Sequence, residues 1–113
     1  MEFIEYQKLA IKTAQFQTGS LRALSYTTLG LTGEAGEVAE RIKKILREED
    51  RDLDSIIAEK RPEIIKEMGD VLWYLTALSR EIGTTLEEVA NANIEKLKSR
   101  YDRGVIYGEG DNR

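Results

Sequence analysis

Apolar residues recur every three or four positions along most of this chain, with polar residues between them. This spacing is typical of amphipathic α-helices, and no segment alternates for long with the period of two expected of strands. The pattern predicts four helices and a glycine-punctuated tail. The helices are expected at residues 2–16, 24–48, 62–82 and 86–103, with a short helical turn at 54–59 and the tail at 104–113.

Residues that are favoured at the first or last positions of helices support these bounds. Pro62 suits the first turn of a helix, where its missing N–H costs nothing, and Gly83 suits the position just after a helix. Residues 84–88 (TTLEE) offer a capping box for the last helix. We therefore expect an all-α fold: a single four-helix bundle-like domain over residues 1–113.

Composition narrows the possible chemistry. The 113 residues are 41% hydrophobic and 34% charged, which suits one soluble globular domain. The chain contains no Cys and no His, which excludes disulfides, a thiolate nucleophile, a Ser-His-Asp triad and the usual zinc sites. The net charge of −4 disfavours a nucleic-acid polymer as partner. No signal peptide or membrane-spanning run is recognisable, so we expect a cytoplasmic protein without a membrane partner.

Two pairs of carboxylates carry most of the functional information. Glu34 and Glu37 lie three residues apart on the second predicted helix, and Glu67 and Asp70 have the same spacing on the third. At 100° per residue, both pairs fall on the same flank of their helix's apolar stripe. If the two helices pack together, one arrangement brings the four carboxylates close. Oxygen donors of this kind, without His or Cys, favour a hard divalent cation and hence phosphate chemistry.

The residues around the acids are consistent with a site. The helix surface beside the acids carries few side chains, because three nearby positions are glycines: Gly30, Gly33 and Gly69. A ligand or another backbone can therefore approach closely. Glu37 has Arg41 at the following turn, which predicts an ordinary ion pair within the helix, whereas the other three acids have no such partner. The competing interpretation is that all four acids lie on solvated helix faces.

At these motifs the chain resembles the MazG-like, all-α nucleoside triphosphate pyrophosphohydrolase superfamily, in which an ExxE motif is followed by an ExxD motif on the next long helix. The surrounding segments LGLTGEAGEVAERIKK and EMGDVLWYLTALSREIG also resemble family members. The segment NIEKLKSRYDRG resembles the family's C-terminal phosphate-binding stretch. The resemblance covers roughly residues 24 to 108.

The resemblance implies a Mg²⁺-dependent hydrolase, with Mn²⁺ as a possible substitute, that converts a nucleoside triphosphate and water into a nucleoside monophosphate and pyrophosphate. Such enzymes clean the nucleotide pool. Some members carry a further Glu where this chain has Gly33, so the base would be Glu37, Glu34 or a metal-bound hydroxide. The implied metal ligands are Glu34, Glu37, Glu67 and Asp70, and the implied substrate contacts are Lys96, Arg100, Asn93 and Tyr74.

The resemblance also implies oligomers, because family members form dimers that often pair into tetramers. Trp73 faces away from the apolar stripe of its helix, so a subunit interface is favoured over base stacking. We expect a fold completed by homo-oligomerisation, as a homodimer or homotetramer. Residues 104–113 either fold over the active site or are disordered.

Other functions stay open at this point. A non-catalytic helical interaction module would need none of the four acids. Within the superfamily, a dUTPase or dCTPase, or a phosphoribosyl-ATP pyrophosphohydrolase, would carry the same motifs. A di-iron carboxylate bundle is disfavoured because such sites use Glu-x-x-His.

Overall fold

The computed structural model describes all 113 residues and contains α-helices and short 3₁₀ turns but no strand, which confirms the all-α prediction. No helix is long and apolar enough to cross a bilayer. The 3₁₀ turns are Ile11–Thr13 and Leu46–Glu48. The four α-helices are α1 (Phe3–Ala10), α2 (Leu21–Ile45), α3 (Leu53–Glu81) and α4 (Leu86–Asp102).

Side-chain caps determine where three of these helices begin. The Ser20 side chain caps α2 and the Asp52 side chain caps α3, each by accepting a backbone N–H from the first turn. The predicted capping box of α4 is confirmed, since Thr85 and Glu88 each bond to the other's backbone N–H. Gly83 has a φ of +73°, which an L side chain rarely adopts, and it ends α3 as predicted.

The predicted start of the third helix at Pro62 is wrong. The helix begins at Leu53, and Pro62 lies in its interior. The sequence up to the proline is held helical by the Asp52 cap and by Ile56, whose side chain is fully buried. Proline cannot donate to the carbonyl of Ala58, but Ala58 is exposed, so water can take the place of the missing donor.

The predicted first helix, 2–16, is too long. α1 ends at Ala10, and the chain turns extended at Ala14 (φ −69°, ψ 119°) after one 3₁₀ turn. The loop that follows is tied to the end of α3, because the backbone N–H of Gly19 donates to Glu81 Oε2 at 2.9 Å. This contact holds residues 14–20 over the α2–α3 pair.

α2 and α3 form an antiparallel hairpin whose contact is the most extensive between any two helices. Small and hydroxyl-bearing side chains are buried at one end of this contact surface, the seam, near the start of α2 and the end of α3. The hydroxyls of Thr27, Thr76 and Ser79 donate to backbone carbonyls one turn earlier in their own helices, at 2.8–2.9 Å. These three buried hydroxyls are therefore satisfied without a cross-helix bond.

The hairpin is open on one side, so the helices do not close into a bundle within one chain. The Cα radius of gyration is 17.3 Å, whereas a compact domain of this length has about 13 Å. Only nine of the 113 residues are buried. The predicted apolar stripes line an open cleft of about 640 Å³ instead of a core; its walls include Ala35, Val38, Met68, Val71, Leu72 and Leu75.

Candidate metal centre and aromatic cavity

Three carboxylates from the two long helices meet at the seam of the hairpin. Glu34 on α2 and Glu67 and Asp70 on α3 each offer an oxygen atom within 4.8 Å of the others. The predicted approach of the two acidic motifs is thus realised for these three residues. Three carboxylate oxygens with no nitrogen or sulfur donor suit a hard divalent cation, whose remaining positions water would fill.

The electrostatics of this cluster favour a cation. The pKa of Glu34 is raised, chiefly by partial burial of its carboxyl group and then by the negative charges of Asp70, Glu67 and Glu37. Glu34 and Glu67 are half-buried, while Asp70 is exposed and leaves the cluster open to solvent. A positive ion among these oxygens would offset the repulsion between them.

Glu37 lies outside the group of three. Its side chain is exposed, one helical turn beyond Glu34. Three residues of an α-helix turn through about 300°, so Glu37 is displaced sideways by about 60° from Glu34. Its charge still acts on the cluster, as the raised pKa of Glu34 shows.

Arg41 is a part of the centre whose role sequence reasoning assigned wrongly. It was expected to pair with Glu37 in its own helix. Instead its guanidinium crosses to α3 and bonds Glu67 Oε1 at 2.8 Å, with Glu63 Oε2 at 3.4 Å. The pKa of Arg41 is raised, first by the hydrogen bond to Glu67. No spacing rule within one helix predicts this contact.

Tyr74 lies beside the carboxylates, against the backbone of α2. A Cβ atom at Gly30 would overlap the Tyr74 ring, so the glycine permits this approach. The Tyr74 and Tyr26 hydroxyls are 3.5 Å apart. The pKa of Tyr74 is raised to about 12, mainly by that contact and by burial, with smaller contributions from Glu34 and Asp70.

An aromatic cavity of about 680 Å³ adjoins Tyr74. Phe16 packs against Tyr26 with ring centroids 5.1 Å apart, and Trp73 meets the Tyr74 ring edge-on at 4.9 Å. Sequence reasoning missed Phe16 and Tyr26, although aromatic residues on both sides of a predicted break were a usable signal. Other wall residues are Thr13, Gln15, Gln17, Ser20, Arg22 and Ala23.

Trp73 is not the exposed side chain expected from its helix. It is half-buried, and its indole N–H donates to Thr13 Oγ1 at 2.8 Å and to the Ala10 carbonyl at 3.1 Å. The end of α1 and the 3₁₀ turn therefore cover it, which the helical pattern around Trp73 alone does not reveal. Its ring forms a wall of the cavity.

The segment carrying both acidic motifs matches a known family. The model of the MazG nucleotide pyrophosphohydrolase domain matches residues 22–105. The chain belongs to the MazG family. The match covers most of α2 and all of α3 and α4, including the three clustered carboxylates, and it confirms the resemblance seen in the motifs.

Two other proteins are similar in sequence to this MazG-family chain. The chain is 46% identical to Gene 37 protein of Mycobacterium phage L5 over 112 residues, 96% of each chain. It is 38% identical to the uncharacterised protein YvdC of Bacillus subtilis (strain 168) over 74 residues, which is 64% of this chain and 70% of YvdC. No solved structure is significantly similar.

The α4 residues that resemble the MazG phosphate-binding stretch do not contact the carboxylates within one chain. Arg100 is buried and its Nη2 donates to the backbone carbonyl of Asp111 at 2.9 Å and to its carboxylate at 3.3 Å. Lys96 Nζ lies 3.6 Å from the same carboxylate, and Asn93 is exposed. The pKa of Asp111 is lowered, first by Arg100.

The tail, 104–113, folds back on itself and on α4. The Arg113 guanidinium donates to the carbonyls of Val105, Ile106 and Gly110 at 3.2, 3.0 and 2.6 Å. The φ angles of Gly108 (+155°) and Gly110 (+78°) permit this path. The bonds of the tail lead to α4 and not to the clustered carboxylates, so the predicted cover over those carboxylates is not formed within one chain; the predicted flexibility of the tail stays a prediction.

Proposed function

We propose that this MazG-family chain is a metal-dependent nucleoside triphosphate pyrophosphohydrolase that acts in cleaning the nucleotide pool, in the cytoplasm. The observation that carries the proposal is the approach of Glu34, Glu67 and Asp70 at the helix seam, beside an aromatic cavity large enough for a base. Hard oxygen donors beside a flat aromatic surface suit the two ends of a nucleotide.

Each acidic residue has a proposed role. Glu34, Glu67 and Asp70 would hold Mg²⁺, or Mn²⁺ in its place, with Glu37 as an outer ligand. The ion, when bound, would offset phosphate charge and lower the pKa of a bound water. Water attacks one phosphorus of the α–β linkage, the bond from that phosphorus to the bridging oxygen breaks, and the leaving phosphate group takes the electron pair, which gives the monophosphate and pyrophosphate. Glu37, exposed and outside the group of three, or Glu34 would accept the proton.

Tyr74 and the aromatic cavity would hold the base. Tyr74 connects the cavity to the metal centre, because it contacts Tyr26 in the wall and its pKa responds to Glu34 and Asp70. A stacked base there would place the phosphates toward the carboxylates.

Lys96, Arg100 and Asn93 are proposed as phosphate or sugar contacts supplied by a second copy of the chain, after Asp111 releases the two cations. The open apolar cleft beside α2 and α3 supports a homodimer or homotetramer, because isolated monomers rarely expose a surface of this kind. Exposed Ile94, Leu97 and Tyr101 on α4 point the same way.

The experiment is pyrophosphate release from a panel of canonical, deoxy and modified nucleoside triphosphates with Mg²⁺. The test variant is Glu34→Gln/Asp70→Asn. The matched control, Glu40→Gln/Asp54→Asn, makes the same chemical changes in the same two helices, away from the cluster. We expect release that needs metal, is lost in the test variant and persists in the control. No release from any nucleotide by the unsubstituted protein would refute the proposal and leave a helical interaction module.

A further inference from the structure

A small basic cleft continues the metal centre along the hairpin. Arg41, Lys44 and Lys60 line a cavity of about 170 Å³ with Glu48, Glu63 and Ile64. Arg41 belongs to both places, because its guanidinium bonds Glu67 of the metal centre while its side chain lines the cleft. The two sites are therefore continuous.

Helix geometry explains why the cleft follows the carboxylates. On α2, Lys44 lies seven residues after Glu37, and on α3, Lys60 lies seven residues before Glu67. Seven residues are close to two full turns, or about 10 Å along the axis, so Lys44 shares a face with Glu37 and Lys60 shares a face with Glu67. The antiparallel arrangement then brings both lysines to the same end of the seam.

The opposite end of the seam holds the aromatic cavity, at Tyr26 on α2 and Trp73 on α3. The order along the hairpin is thus aromatic cavity, carboxylates, basic cleft. A nucleoside triphosphate has the same order of parts: base, first phosphoryl group, terminal phosphoryl groups.

We propose that Arg41, Lys44 and Lys60 form the subsite that binds the two terminal phosphoryl groups of the substrate and then the pyrophosphate that is released. This assignment rests on the proposed hydrolase function and adds to it a direction of binding and three ligands. In the hydrolysis step, the β- and γ-phosphoryl groups leave together as pyrophosphate within this cleft, and the α-phosphoryl group stays with the nucleoside.

The charges in the cleft suit this role. Its two carboxylates are both engaged, Glu48 by Arg51 at 2.8 Å and Glu63 by Arg41 at 3.4 Å. Lys44 has only a loose contact, 3.8 Å from Glu40, and can turn toward an anion. Lys60 is paired at 2.9 Å with the exposed Glu59, which lies outside the cleft, and the α4 cations are held by Asp111. The cleft therefore holds three cations and two engaged carboxylates, and Arg41 joins it to Glu67.

The test is direct binding of inorganic pyrophosphate in the presence of Mg²⁺, measured by isothermal titration calorimetry. The variant is Lys44→Met/Lys60→Met, which keeps the apolar stems. The matched control is Lys43→Met/Lys66→Met, which removes two charges from the same two helices outside the cleft. We expect Kd to rise about tenfold or more in the cleft variant, because charge-assisted bonds are lost, and less than about threefold in the control.

Two further measurements make the outcome decisive. Binding of a nucleoside monophosphate should be equal in both variants, and KM for the triphosphate should rise in the cleft variant alone. Equal pyrophosphate affinity in both variants, or weakening of monophosphate and pyrophosphate alike, would overturn the assignment. Because calorimetry needs no turnover, failure of the cleft is distinguishable from failure of the hydrolase proposal, which is judged by pyrophosphate release from the unsubstituted protein.

Discussion

Replacing Glu34 with Gln should stabilise the metal-free protein. Glu34 has a carboxylate oxygen within 4.8 Å of oxygens from both Glu67 and Asp70, and its pKa is raised by burial and by these charges. A raised carboxyl pKa means that the folded chain binds the proton more tightly than the unfolded chain. Stability is therefore lost as pH rises from the unfolded pKa through the folded one.

The magnitude follows from Coulomb's law. Two unit charges at this separation repel by about 0.9 kcal/mol in water, and the value grows as solvent is excluded. Glu34 faces two such charges, one of them partly offset by Arg41, so we expect a gain of about 1–2 kcal/mol at pH 7. For a domain of this length, that corresponds to a rise in Tm of about 4–8 °C.

The assay is thermal unfolding followed by circular dichroism at fixed protein concentration, with EDTA and then with Mg²⁺. The Tm advantage of Glu34→Gln should vanish in acid, where Glu34 is protonated and neutral, and should grow toward pH 7. Mg²⁺ at 100 times its Kd should raise the free energy of unfolding of the unsubstituted protein by about 2.7 kcal/mol, and its Tm should rise accordingly. The same Mg²⁺ concentration should have little effect on the variant.

Glu40→Gln is the control with the opposite sign. Glu40 bonds Lys43 at 2.7 Å and its pKa is lowered, first by that bond, so its loss should lower the Tm slightly and leave the Mg²⁺ response intact. A lower Tm for Glu34→Gln in EDTA, or an unchanged Mg²⁺ response, would refute the account of the centre.

Four other substitutions test the packing and the helix-forming residues, each by urea unfolding. Gly30→Ala should destabilise, since its Cβ would overlap Tyr74, whereas Gly33→Ala has open space and should gain about 0.5–1 kcal/mol from helix preference; equal effects would contradict the contact. Thr85→Ala should cost about 1 kcal/mol by removing the α4 cap, and no loss would mean that the capping box is unimportant. Pro62→Ala should stabilise by up to about 3 kcal/mol, and destabilisation would show that the proline fits its helix without cost.

The helices were largely predictable because their pattern is local. The apolar period and the α4 capping box depend on residues a few positions apart. The start of α3 was predicted wrongly because a proline in the first turn and a proline in the interior of a helix have the same local sequence pattern. The helix starts earlier because the Asp52 side chain caps it and the Ile56 side chain is buried. The apolar stripes of α2 and α3 do not form a buried core within one chain. The buried positions include Thr27, Thr76 and Ser79, and a search for apolar periodicity does not select threonine or serine.

The site was predictable only as far as helix geometry reaches. The two acidic motifs share a flank of their helices, which anticipated the meeting of Glu34 with Glu67 and Asp70. Arg41 bonds to the opposite helix, and the cavity forms between the loop at 14–20 and α3. Contacts of this kind depend on how helices and loops dock, so no spacing within one helix could predict them.

The contact between Gly30 and Tyr74 has a consequence one turn away. Gly30 precedes Glu34 by four residues on α2, and Tyr74 follows Asp70 by four on α3. A slip of one residue between the helices would move each carboxylate by about 1.5 Å along the axis and 100° around it. The ring seated on the glycine backbone prevents that slip and so sets the axial register of the hairpin. In the proposed metal centre, the affinity for an ion would thus depend on two residues outside the set of ligands.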